Sequence, residues 1–132
     1  MATYSFVIKQ GKTYERRFEY KTGSPSTPFD FTGYEVRAQI KPSVGSTTVY
    51  CSLSSSLGAD GTGFNMTPAS ASVVLPRSSG SIGMVISAYS SSLFNFDTAV
   101  IDIEFYSGSG VTQYVQELLS GKVKLVKEVT TL

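Results

Sequence analysis

Apolar and polar residues alternate without a fault from Tyr34 to Lys41, with Tyr34, Val36, Ala38 and Ile40 on one side and Glu35, Arg37, Gln39 and Lys41 on the other. A period of two sends successive side chains to opposite faces, so this stretch predicts a half-buried β-strand. The same period returns near both ends of the chain. Tyr4, Phe6 and Ile8 alternate with Ser5, Val7 and Lys9. Over residues 13–20, Tyr14, Phe18 and Tyr20 share a face with Arg16, opposite Thr13, Glu15, Arg17 and Glu19. With Gln10, Gly11 and Lys12 between them, these first two strands are expected to form a hairpin. In the last third, Ala99, Ile101, Ile103 and Phe105 alternate with Val100, Asp102, Glu104 and Tyr106. A "SGSG" turn at 107–110 then leads to strands over 111–119 and 122–129, with Ser120 and Gly121 expected to turn the chain between them.

The segments between are punctuated by turn residues. Gly23, Pro25 and Pro28 mark 21–28 as a surface loop. Asp30, Thr32 and Gly33 turn the chain into the strand at 34–41, with Phe29 and Phe31 expected to anchor that turn in the core. A weak strand is expected around Thr48–Leu53, and "GADGTG" (58–63) reads as a flexible turn. "ASVVLP" (71–76) ends in Pro76, as an edge strand does. "SIGMVIS" (81–87) is a better strand, with Ile82, Met84 and Ile86 on one face. Residues 88–96 are the one helix candidate, placing Leu93 and Phe94 against a sheet. The total is about eight or nine short strands with at most one short helix, and no βαβ alternation. That pattern indicates an all-β chain folded as an antiparallel β-sandwich, immunoglobulin-like or similar. The expected core is Phe6, Ile8, Phe18, Val36, Ile40, Met84, Ile86, Ile101, Ile103, Phe105, Val123 and Leu125.

Length and composition narrow the classes. The 132 residues fit a single domain, 1–132, large enough to bury a core without disulfides or metals. Charge is nearly balanced, with 11 basic and 10 acidic side chains, which gives no electrostatic reason to expect nucleic acid or an anionic membrane as partner. The start, "MATYSFVIKQ", lacks the basic head, apolar stretch and cleavage site of a signal peptide, so synthesis in a cytoplasm is expected. Cys51 is the single cysteine; it reads as a small strand residue rather than a nucleophile, since no base is at hand.

Histidine is absent, which removes the commonest general base and transition-metal ligand. No cofactor is expected, and the chain does not read as an enzyme. The remaining chemistry lies in carboxylates. Asp102 and Glu104 point the same way from one strand, as a calcium or acid–base pair would, but the alternation already explains both as its solvent face, with Lys or Arg across the ladder. Asp60 resembles part of a calcium loop but lacks the repeated ligands such a loop needs. Lys122, Lys124 and Lys127 read as a solvated strand face. Of the 8 tyrosines, Tyr106 and Tyr114 are the candidates for an outward-facing interface or sugar-stacking platform.

Three segments together resemble a known pattern: "FVIKQGKTYERRFEY", "FDFTGYEVRAQIKPS" and "AVIDIEFYSGSGVTQYVQELLSGKVKLVKEVT". They are similar to small virion proteins of tailed bacteriophages, cyanophage homologues among them, and to the N-terminal domains of some baseplate and tail-fibre proteins. The resemblance implies a β-sandwich located in a virion, a structural protein that acts as an adaptor or accessory subunit of the tail or baseplate. The partners it implies are other virion proteins, or further copies of the chain as an oligomer. A head-decoration or head–tail joining subunit, and a carbohydrate-binding module for a host surface, are the alternatives. Residues 44–80 match no part of the pattern.

Overall fold

The computed structural model describes residues 3–23, 26–70 and 72–127. Its strands, in chain order, are β1 (Thr3–Lys9), β2 (Tyr14–Glu19), β3 (Lys21–Thr22), β4 (Thr27–Pro28), β5 (Glu35–Lys41), β6 (Cys51–Ser54), β7 (Gly63–Asn65), β8 (Ala69–Ser70), β9 (Val73–Val74), β10 (Ser81–Ile86), β11 (Thr98–Ser107) and β12 (Tyr114–Val126). One short helix, α1, covers Ala88–Ser92. A five-stranded sheet runs β1-β12-β11-β5-β6, and a three-stranded sheet runs β2-β10-β7. Both turn their apolar faces inward, giving a sandwich-like all-β fold. All ladders of these two sheets are antiparallel except β1–β12, which is parallel.

The alternation read from the sequence is the alternation of burial. Val36, Ala38 and Ile40 of β5 and Ala99, Ile101, Ile103 and Phe105 of β11 are buried between the layers. Opposite them, β10 contributes Ile82, Met84 and Ile86. All twelve expected core residues are buried. At one end, Phe29, Phe31, Tyr20 and Tyr34 cluster around Phe105 with ring centroids 5.2–5.8 Å from it. The Asp30 turn feeds this cluster. Asp30 Oδ1 accepts from the Thr32 amide at 2.9 Å, the Tyr34 amide donates to Phe31 O, and Gly33 sits at positive φ.

Four sequence expectations are corrected. First, β1 and β2 do not form a hairpin. The turn at 10–13 carries the chain from one sheet to the other, so β1 pairs with β12 and β2 with β10. Phe6 and Phe18 then face each other across the interior, with centroids 6.1 Å apart. Second, Ser120 and Gly121 do not turn the chain; both lie inside the single strand β12. Gly121 is there for a packing reason. A Cβ on it would fall 2.3 Å from Tyr4 O and 2.9 Å from Phe6 Cε2, so only glycine lets β1 lie against β12. Third, the helix ends at Ser92 with Leu93 as its exposed C-cap, and of the two expected contacts only Phe94, beyond the helix, is buried. Fourth, Pro28 lies in a two-residue ladder, opposite Lys21.

Candidate interaction surfaces

The outer face of the five-stranded sheet carries the polar half of each alternation. Glu104 of β11 and Arg37 of β5 are cross-strand partners, and Arg37 Nε lies 2.5 Å from Glu104 Oε1. The same guanidinium rests over the Tyr106 ring, 4.4 Å from its centroid. Glu104 thus has the arginine across the ladder that alternation suggested, and Tyr106 has one ring face covered.

Asp102, on the same face, neighbours Glu117 of β12. Glu117 is held above the usual carboxylate range by desolvation, by the negative charge of Asp102 and hydrogen bonding with it, and by the charge of Glu104. Glu117 makes no side-chain ion pair among the described residues. A shallow groove of about 590 Å³ runs beside these groups, lined by Arg37, Gln39, Lys41, Ser52 and Asp102, with the Val44–Gly45 loop at its margin.

Tyr114 is not part of this face. It pairs with Ser107, one position beyond Tyr106, and so belongs to the opposite side of the sheet. Its ring meets that of Tyr34 edge-on, with centroids 6.3 Å apart, and its hydroxyl donates to Gln116 Oε1 at 2.5 Å. The two candidate tyrosines, close in the ladder, are therefore separated by the sheet.

A second groove, about 530 Å³, opens along the seam between the two sheets. Tyr4, Phe18 and Tyr20 line it from one side and Gln116, Leu118 and Leu119 from the other. Arg16 lines it too, with Arg17, Glu19 and Glu117. The Arg16 guanidinium lies 4.9–5.4 Å from the ring centroids of Tyr4, Phe6 and Phe18, and Nη1 donates to Ser5 O at 3.1 Å. Its position among the aromatic residues of β2 was visible in the alternation, but its three-ring stack was not, because two of the rings come from β1.

Asp60 gathers the 57–62 loop onto the start of α1. Its Oδ2 accepts from Ser87 Oγ and Ser90 Oγ, each at 2.5 Å, and from Thr62 Oγ1 at 3.0 Å, while Oδ1 accepts from the Thr62 amide at 3.1 Å. Ser87 is the N-cap of α1 and accepts from the Ser90 amide. Hydroxyl and amide donors from Ser87, Ser90 and Thr62 hold the Asp60 carboxyl well below its ordinary range. The "GADGTG" segment is thus a tied turn, with its carboxylate engaged by the protein's own donors. Among the described residues no three His, Cys, Asp or Glu side chains are grouped to hold a metal ion. Cys51 is half-buried, and burial, then the Asp60 charge, pushes its thiol up to about 11.

No protein-family model matches the chain, and comparison with curated proteins finds no relative. Among the described residues no helix is long and apolar enough to cross a membrane.

Proposed function

We propose that this chain is a structural subunit of a tailed-phage virion, acting in the tail or baseplate through protein–protein assembly. The observation that carries an assembly role is the placement of bare apolar side chains at both ends of the sandwich. Strand directions put the 42–50 loop and α1 at one end, and there Val44, Tyr89 and Leu93 are 88%, 70% and 67% exposed. At the opposite end, Val73, Val74 and Val111 are 61%, 66% and 105% exposed. Large apolar groups held in water at loop tips and on a helix favour contact with another protein surface. The resemblance of the three sequence segments supports a virion as the setting.

The carbohydrate reading draws less support. Arg37 covers one face of Tyr106, and Tyr114 lies on the other side of the sheet, so the two do not make one stacking platform. In the assembly reading no reaction is catalysed.

The test is antibody labelling of purified particles from the phage that encodes the chain, read by negative-stain electron microscopy, with mass spectrometry of the same particles. Label at the distal tail is the expected result. Label over the head would move the subunit to decoration or head completion. Absence from the particle by both methods would overturn the virion reading.

A further inference from the structure

Asp60 is followed by Gly61, the one place in the chain where a glycine follows an aspartate or asparagine. Such a pair is chemically labile. The glycine amide nitrogen attacks Cγ of the protonated aspartate carboxyl. The amide hydrogen and the carboxyl OH leave as water, and a five-membered succinimide closes. Water then reopens the ring at either carbonyl. Opening at Cγ restores aspartate, whereas opening at the main-chain carbonyl leaves isoaspartate, with the backbone routed through Cβ and Cγ. Glycine favours the attack, because it has no Cβ to hinder the approach and its backbone turns freely.

In the folded chain both reacting groups are occupied. The Gly61 amide donates to Gly58 O at 3.0 Å, so its hydrogen is bound and its nitrogen is held in the turn. The Asp60 carboxylate accepts from the Thr62 amide and from the hydroxyls of Thr62, Ser87 and Ser90. Ser87 and Ser90 lie 27 and 30 residues further along the chain. They fix the carboxyl against α1, away from a swing toward its own backbone. These donors also favour the ionised form, which is a poor electrophile beside the protonated acid. The donors are themselves held. Ser87 Oγ accepts from the Ser90 amide, and Thr62 Oγ1 accepts from the Ser87 amide, each at 3.0 Å.

We propose that Asp60–Gly61 is a latent isomerisation site, and that the hydroxyls of Ser87 and Ser90 guard it by holding the Asp60 carboxyl on α1. Isomerisation then follows the small population in which the 57–62 loop opens from α1. Isoaspartate fits the guard poorly once formed. Its free carboxylate stands directly on Cα, one carbon shorter, and the main chain is one carbon longer. The loop and α1 then lose the carboxylate that joins them. Tyr89 and the adjoining Leu93, the exposed apolar groups of that helix, lose a fixed support. The inference concerns the chain alone and does not depend on the assembly reading.

The test ages the full-length protein beside the free peptide Leu57–Gly63 in warm, mildly acidic buffer. Isoaspartate is measured by proteolysis and mass spectrometry with electron-transfer fragmentation, and by enzymatic methylation of the isoaspartyl carboxylate. The peptide should isomerise steadily and the native protein about a hundredfold more slowly. Ser90→Ala, which keeps the Ser87 cap, should isomerise about tenfold faster than the native protein, the factor carried by one hydrogen bond to a charged group. Ile103→Val lowers global stability without touching the loop and should leave the rate unchanged. The purified isoaspartyl protein should melt below the fresh protein, by about as much as Asp60→Ala does. Native protein that isomerises at the peptide's rate would overturn the proposal. So would a peptide that stays intact, or a Ser90→Ala rate equal to that of wild type. Equal acceleration by Ile103→Val and Ser90→Ala would overturn it too, since global unfolding, and not the hydroxyl guard, would then set the rate.

Discussion

Asp60 shows how a single side chain joins two segments distant in sequence. Its carboxylate takes hydrogen bonds from Thr62 in its own turn and from Ser87 and Ser90 at α1. A folded-state pKa lowered in this way contributes stability that is fully present above the ordinary carboxylate range and is lost as pH falls below it. Asp60→Ala should therefore lower the melting temperature at neutral pH, and the difference from wild type should shrink as the buffer is acidified below about pH 4. A difference that stays constant with pH would show that the ionised carboxylate is not what holds the loop. Cys51 gives a second residue-scale prediction. With its thiol raised to about 11, little thiolate is present near neutrality, so alkylation by iodoacetamide at pH 8 should be slow and should accelerate sharply on unfolding. Equal rates in native and unfolded protein would contradict that environment.

Gly121 belongs to the element scale, because its consequence is a strand pairing. Gly121→Ala places a Cβ against Tyr4 O and Phe6, so β1 must shift away from β12. The expected cost is about 1–3 kcal/mol, measured by urea unfolding, with faster amide exchange along β1 than elsewhere. A neutral substitution would mean that β1 is not held at this distance. Phe105 of β11 is the hub of the aromatic cluster formed with Tyr20, Phe29, Phe31 and Tyr34. Phe105→Ala should cost about 3–5 kcal/mol by the same measurement, the range for a buried phenylalanine whose neighbours relax only partly.

At the scale of the whole molecule, the sandwich has apolar tips at its two ends. These are separate surfaces, and variants distinguish them. Replacing Tyr89 and Leu93, both exposed on or next to α1, with serine should leave the fold intact while weakening incorporation into particles. Thermal unfolding checks the first expectation, and particle mass spectrometry the second. Unchanged incorporation would remove the α1 end from the assembly surface.

Strand identity and facing were legible from the chain itself, because a period of two needs only local backbone geometry and the cost of burying polar groups. That is why β5, β10 and β11, and all twelve expected core residues, were legible in the sequence alone. Partnership was not legible. Phe6 and Phe18 obey the same alternation whether their strands share a sheet or face each other across a core, and only the packed molecule places them in different layers. Gly121 reads as a turn when its neighbours in space are unknown, yet it is a contact point for Tyr4 and Phe6, far from it in sequence. The separation of Tyr106 from Tyr114 and the ties on Asp60 arise in the same way. Each depends on which distant segments meet. Such meetings are decided by the joint packing of many side chains, a free energy that no single stretch of sequence contains.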